Sequence, residues 1–257
     1  MALMITSFIQ RDSFIQELNP ISKIFLILLV IASIIILDNL YITYFFLINV
    51  FFLAYLAKIE KEFVKGITIV MLPIAVWFLI IHGIVNPAGK TILFKIWFIP
   101  FRKEGLLFAL NFGSKLVTII SYFYFFIITT YPGDIVGSFS KIGLPYKAGF
   151  LINSSLQMLP LMQRRAEKIL EAQEARGLKV KGKLKDRFKA YTPLIIPLIL
   201  GALMETYERV LAIEIRGFSA KVKKTHYKEV NFEKKDLIFC FTYLFLTLIL
   251  IIGGGNF

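Results

Sequence analysis

Cysteine is nearly absent from this chain: Cys240 stands alone inside an apolar run. One thiol cannot close an intrachain disulfide, and no zinc-type spacing exists. The plain role for such a residue is a small buried apolar side chain. Histidine is almost as scarce. His82 sits in an apolar segment and His226 in a basic one, and neither has a companion at metal-ligand spacing. The phosphate-cradling G-x-x-x-x-G-K-[ST] loop is missing, so the chain is not expected to hydrolyse ATP alone. The long apolar stretches hold almost no acids, no Ser/His pair and no carboxylate pair, which an intramembrane enzyme would need. No catalytic residue, bound cofactor or metal ligand is therefore assigned to this chain.

Acidic residues are also few, 17 against 30 Lys and Arg, leaving a formal charge of +13. Such a balance can mark a nucleic-acid binder, but the placement of the charge argues otherwise. Of the 30 basic residues, 20 lie between Gly133 and Lys235, beside 10 acidic ones. What is abundant is apolar side chains, 57% of the 257 residues, and the mean hydropathy is +0.72. Soluble domains carry about 45–50%. The chain reads as an integral membrane protein whose basic segment marks the cytoplasmic side. Its nonprotein partner is the lipid bilayer, and nucleic acid is not expected.

A span needs about 20 mostly apolar residues. The candidates are 23–37, 40–56, 66–84, 105–130 and 237–252. The first has the length of a signal-peptide core, but Asp38-Asn39 follow it at once with no small-x-small cleavage site. Asn19-Pro20 reads as the turn that starts this helix. The stretch 91–101, with Lys95 and Pro100, is too short to span and reads as an interfacial or re-entrant piece, with Trp97 at headgroup depth. The positive charges place the N-terminus inside and the C-terminus outside.

Between the fourth and fifth spans, 146–220 is helical in pattern, with long segments from about 147 to 176 and from about 193 to 216. Each would be ~35–45 Å long. Their apolar halves, 148–162 and 194–204, would make seven spans if both crossed. Polar residues at 153–157, Pro160 and an unbroken passage into charged halves favour helices lying on the inner membrane surface. In the first segment Met162, Ala166, Ile169, Leu170 and Gln173 share one side, opposite Arg164, Arg165, Lys168 and Glu171. The second segment repeats this with Tyr207, Val210 and Leu211. The basic run Lys179 to Lys185, with Arg187 and Lys189, reads either as a solvated connector between them or as a holder of anionic lipid headgroups.

Each long segment ends on the same pattern, A-x-E-x-R-G plus an apolar residue, forty positions apart. The first copy carries Ala172, Glu174, Ala175, Arg176, Gly177 and Leu178. The second carries Ala212, Glu214, Ile215, Arg216, Gly217 and Phe218. A glycine after a helix supplies the left-handed capping position, and an arginine in the last turn complements the helix dipole. Capping requires neither the Ala one turn before the Arg nor the Glu two residues before it. A small residue admits a close surface. The guanidinium offers a planar fork to carboxylates or carbonyls, and the terminal Leu or Phe can anchor beside it. Two such tips call for two equivalent clefts.

The chain resembles the transmembrane T component of energy-coupling factor (ECF) transporters, the family that includes the cobalt-transport permease subunits. Leu18-Asn19-Pro20-Ile21-Ser22-Lys23 is similar to that family's opening L-[DN]-P-x-x-K. Lys103-Glu104-Gly105-Leu106 is similar to its T-x-E-G-L, with Lys for Thr. Thr129-Thr130-Tyr131-Pro132 resembles T-T-x-P, and Gly143-Leu144-Pro145 resembles G-L-P. Leu159-Pro160 and the two Arg-Gly motifs follow in order. Ala175-Arg176-Gly177 matches the family's Ala-Arg-Gly, whereas the second copy has Ile215 for Ala.

The resemblance implies an all-α membrane protein with about five transmembrane helices plus long cytoplasmic or interfacial coupling helices. It implies helices 1–4 in residues 1–132, the coupling region in 133–235 and the last span in 236–257, in a prokaryotic cell membrane. It further implies two ATP-binding-cassette ATPase partners, which bind the ATP and magnesium, with Arg176 and Arg216 seated in their grooves. Glu174 and Glu214 would hold the Arg or meet the groove rims. A small membrane-embedded substrate-binding subunit would complete an importer for a vitamin or metal. A stand-alone carrier with its own central site is the competing expectation. Carriers often repeat their spans, whereas here the repeat lies at the helix tips.

Overall fold

A computed structural model describes residues 11, 13–85, 92–96, 99–177, 184–220, 222 and 231–254. Its elements run in the order α1 (Phe14–Glu17), α2 (Pro20–Leu37), α3 (Leu40–Leu56), α4 (Glu60–Val85), β1 (Ile92–Ile96) and β2 (Ile99–Arg102). They continue with α5 (Lys103–Thr129), α6 (Pro132–Ile142), α7 (Tyr146–Ala175), α8 (Leu184–Ile215) and α9 (Lys234–Gly254). The protein is an all-α membrane protein whose described strands are one short hairpin. Among the described residues four helices are long and apolar enough to cross a membrane: Pro20–Leu37, Glu60–His82, Gly105–Thr129 and Lys234–Ile252. Leu40–Leu56 is a shorter apolar helix, so each of the five expected spans is helical. The chain forms two compact units, Met1–Phe139 with Val230–Phe257, and Ser140–Glu229.

Local chemistry sets the boundaries. The Asn19 side chain accepts from the Ile21 N–H at 3.0 Å, and Pro20 fills the first helical position of α2, where a missing N–H costs nothing. Asp38 ends α2 in the left-handed region at φ 41°, and Asn39 caps α3 by accepting from the Tyr41 N–H at 2.9 Å. Glu60 and Glu62 lie in the first turn of α4, where the helix dipole favours negative charge. Strands Ile92–Ile96 and Ile99–Arg102 pair antiparallel, with Ile96 opposite Ile99 and Lys95 opposite Pro100. A two-stranded ribbon has two edges, so it tolerates the proline. Trp97 lies outside the described residues.

In the first unit α2 packs on α9, and α5 packs on α3 and α4. Leu26, Val30, Phe46, Val50, Phe63, Tyr122 and Phe125 form its buried core. Large apolar side chains also face outward, such as Ile36, Tyr41 and Ile252. Where lipid is as apolar as the core, burial alone does not choose a packing. Close contact and interhelical hydrogen bonds do. A Cβ on Gly66 would overlap the Tyr124 phenol, so the ring lies across α4 where a side chain would otherwise stand. Asn49 Oδ1 lies 2.9 Å from the Tyr122 hydroxyl and 3.0 Å from the Tyr243 hydroxyl, joining α3, α5 and α9.

A second polar cluster joins three helix ends. Lys23, almost fully buried, donates from Nζ to the Thr129 carbonyl at 2.9 Å and lies 3.5 Å from Thr130 Oγ1. The buried Asp236 accepts from the Asn19 N–H at 2.7 Å, the Ser22 hydroxyl at 3.1 Å and the Glu233 N–H at 2.9 Å. The Asn-Pro-x-x-Lys and Thr-Thr-x-Pro segments thus meet, and Asp236, which the motif pattern did not flag, completes them. The His82 ring stacks on Phe78 at 3.9 Å, and its Nδ1 lies 3.2 Å from the Phe78 carbonyl. Cys240 is half-buried in α9 rather than fully buried.

Lys23→Met leaves the Thr129 carbonyl without its side-chain donor, and Asp236→Asn weakens an acceptor shared by two backbone N–H groups and the Ser22 hydroxyl. Each is expected to cost about 1–3 kcal/mol, read as a fall in the thermal midpoint of the detergent-purified protein. Gly66→Val should lower the same midpoint by about 1–3 kcal/mol through overpacking.

Candidate functional site

The second unit is built on α7 and α8. The first helix falls where the periodicity puts it, Tyr146–Ala175 against an expected 147–176, and it runs on through Pro160. The second begins earlier than expected, at Leu184, and passes through Pro193 and Pro197. Each proline removes one ladder bond and favours a kink, yet Leu, Lys and Arg before them are strong helix formers. Lys185, Arg187 and Lys189 therefore belong to α8 and not to a connector, while 178–183 lie outside the described residues.

On α7, Met162, Ala166, Ile169, Leu170 and Gln173 are half-buried, and Arg164, Lys168 and Glu171 are exposed, as the periodicity requires. Arg165 departs from its expected outward side. Its Nη2 lies 2.9 Å from Glu205 Oε2 on α8, and Glu205 Oε1 lies 3.5 Å from Arg209 Nη2. A Cβ on Gly201 would stand 3.1 Å from Arg165 Nη1, so the guanidinium lies along a gap in α8. The covered stripe of α8 is Leu194, Leu198, Gly201, Ala202, Glu205, Arg209 and Ile213. This corrects the expected face: Tyr207, Val210 and Leu211 point away from α7 and are exposed. The ion pair and the glycine set the rotation of α8, and an apolar stripe from Ile195 and Ile199 through Leu203, Met204 and Tyr207 is left uncovered.

Arg165 precedes Arg176 by eleven positions, as Glu205 precedes Arg216. The α7–α8 contact thus joins equivalent positions of the repeat, with arms of about 16 Å from contact to tip on each helix.

Both tips fold alike. The Arg176 N–H donates to the Ala172 carbonyl at 3.3 Å, and the Arg216 N–H to the Ala212 carbonyl at 3.3 Å. The Gly177 N–H donates to the Glu174 carbonyl at 2.9 Å, and the Gly217 N–H to the Glu214 carbonyl at 2.9 Å. Gly177 and Gly217 take φ of +91° and +75°, a conformation open to glycine at little cost. Ala172, Glu174, Ala175, Arg176, Gly177, Ala212, Glu214, Ile215 and Arg216 are exposed. Among the described residues neither guanidinium has an ion-pair partner. The tips present two cationic forks on rigid caps.

The residues flanking the tips differ from expectation. Glu214 is engaged by the Ser219 hydroxyl at 2.8 Å, not by Arg216. Phe218 is half-buried against its own chain, its ring 4.7 Å from Phe150 and 5.6 Å from Tyr146. Leu178 lies outside the described residues. The sequence pattern gave no warning of the Arg165–Glu205 contact, although the forty-residue offset between the two positions was there to be read.

Residues 11–227 match the cobalt transport protein family CbiQ. The chain belongs to this family. Curated relatives named energy-coupling factor transporter transmembrane protein EcfT extend the likeness over nearly the whole length. That of Staphylococcus aureus is 27% identical over 248 residues, covering 92% of this chain and 91% of the relative. That of Lactococcus lactis is 26% identical, covering 95% of both, and that of Brevibacillus brevis is 28% identical, covering 96% of both. The CbiQ membership identifies a membrane component of a transporter. The ECF motifs fall on its joints: Thr129-Thr130-Tyr131-Pro132 separates α5 from α6, and Gly143-Leu144-Pro145, with Gly143 at φ +129°, separates α6 from α7.

The Arg165–Glu205 pair is partly exposed, so its coupling is modest. A double-mutant cycle with Arg165→Ala and Glu205→Ala should give about 0.2–1 kcal/mol in thermal or denaturant stability. Gly177→Ala and Gly217→Ala should each lower stability by about 1 kcal/mol through strain at positive φ.

Proposed function

We propose that this transporter membrane component is the coupling subunit of an ECF-type importer, joining two ATP-binding-cassette ATPases to a membrane-embedded substrate-binding subunit. The observation that carries the reading is the pair of identically capped, exposed Arg-Gly tips at the ends of two helices that meet at repeat-equivalent positions. Arg176 and Arg216 each enter a groove on one ATPase. Ala175 and Ile215, Gly177 and Gly217 sit against the groove walls, and Ala172 and Ala212 admit close approach one turn earlier. Two equivalent tips suit two equivalent or related ATPases, which bind ATP and magnesium and carry out the hydrolysis.

The transmission follows from stiffness. A helix displaced at one end moves as a rod, and packed elements shift between discrete arrangements. Closure of the ATPases displaces the tips, and α7 and α8 carry that displacement. The uncovered stripe of α8 suits an apolar partner, and the substrate-binding subunit lies against it. The basic region 133–235 and the loop with Lys58, Lys61 and Lys65 face the cytoplasm of a prokaryotic cell, which puts the N-terminus inside and the C-terminus outside. Vitamin or metal cargo is selected by the substrate-binding subunit and not by this chain.

Arg176→Glu and Arg216→Glu reverse the charge on one tip each. Each is expected to weaken capture of an ATPase subunit in mild detergent by about 2–5 kcal/mol, with expression and thermal midpoint unchanged. If both variants retain both ATPases and their ATP-dependent activity, docking through the tips is wrong. A chain that purifies alone and still transports is a stand-alone carrier.

A further inference from the structure

The two tips share one cap but not one setting. Beyond Gly217 the chain forms a closed turn: the Phe218 N–H donates to the Ile213 carbonyl at 3.0 Å and the Ala220 N–H to the Gly217 carbonyl at 3.0 Å. The Ser219 hydroxyl closes on Glu214. This turn fixes the direction in which Phe218 leaves the helix, and its ring comes to rest on Phe150 and Tyr146 in the first turns of α7. Shifting Tyr146 and Phe150 by the repeat offset gives Asp186 and Ala190, neither of which carries a ring. Among the described residues the aromatic seat is formed at the second tip.

We propose that Phe218 is a positioning residue that ties the Arg216 tip to the start of α7, so that the two tips are mechanically distinct. The proposal rests on the coupling reading above. The α7–α8 pair is held at Arg165–Glu205 and again where Phe218, thirteen residues after Glu205, meets Phe150, fifteen residues before Arg165. Two separated contacts resist rotation about either one. A displacement of the Arg216 tip therefore reaches the first turn of α7 directly, next to the Gly143-Leu144-Pro145 elbow that leads into α6. A displacement of the Arg176 tip enters α7 from its other end, along the helix axis. Phe218 acts within its own chain and is not a contact to the ATPase, contrary to the role that its place beside Arg216 first suggests.

The test uses the complete complex, purified through a tag on this chain, with magnesium ATP and vanadate as the probe. Hydrogen exchange is followed in peptides covering 143–150 and 170–177. The unsubstituted complex is expected to change its exchange at both places when the nucleotide is trapped. In Phe218→Ala the change at 143–150 should shrink by about threefold to tenfold, the factor that lost aromatic pairs represent. The change at 170–177, ATPase capture and ATP hydrolysis should persist. Phe150→Ala should give the same loss, and the double variant should be no worse. Phe218→Leu, which keeps apolar bulk, is judged by the same criteria if the alanine variant does not accumulate. Loss of ATPase subunits with Phe218→Ala but not with Phe150→Ala would make Phe218 a partner contact and overturn the proposal. An unaltered nucleotide response at 143–150 in both variants overturns it equally. An unsubstituted chain that captures no ATPase overturns the coupling reading itself, and this one with it.

Discussion

Two buried polar side chains, Lys23 in the first turn of α2 and Asp236 in the first turn of α9, hold the ends of three membrane helices. Lys23 grips the carbonyl end of α5 at Thr129, and Asp236 ties the start of α9 to Asn19 and Ser22. Both side chains are buried, so their polar atoms depend on the partners the fold gives them. The apolar surfaces of the spans face lipid as readily as they face one another. Polar anchors at the ends, the Asn49 cluster in the interior and the close approach at Gly66 are what select one packing. The clasp also stands beside the joint at Thr130-Tyr131, where the chain leaves α5 for α6.

The second unit uses different physics. Its helices are half polar, and the contact between them rests on an ion pair over a glycine. That contact turns the side chains most suited to burial away from the partner helix. A helix pair designed only for its own stability would have covered Leu203, Met204, Tyr207 and Leu211. Leaving them exposed is the mark of a surface that a further apolar phase, lipid or protein, completes. The tips at the far ends owe their form to capping chemistry alone. The same backbone bonds recur in both copies because the same residues recur at the same offsets.

Much of this was legible in the residues. The five apolar helices, the turn at Asn19-Pro20 that starts α2, and the ends of α7 depend on neighbours in sequence, and local rules reach them. The face of α7 was legible for the same reason, since its apolar side is also its packed side. The face of α8 was not. Periodicity finds an apolar stripe, but it cannot say which phase the stripe meets. The start of α8, expected near 193, falls at Leu184 because good helix formers precede the prolines. The intrachain partners of Phe218 (Tyr146 and Phe150) and of Glu214 (Ser219) were not legible because they are set by the chain's own folding.

The sequence by itself determined that this is a helical membrane protein of the CbiQ family with two glycine-capped arginine tips, because hydropathy, capping and motif order are local properties. Only the tertiary structure decided that Lys23 meets Thr129, that Arg165 meets Glu205, and that Phe218 turns inward while Tyr207 stays outside. Those outcomes depend on which of several apolar or charged surfaces approach one another, and a contact between residues far apart in sequence leaves no mark on the residues near either one.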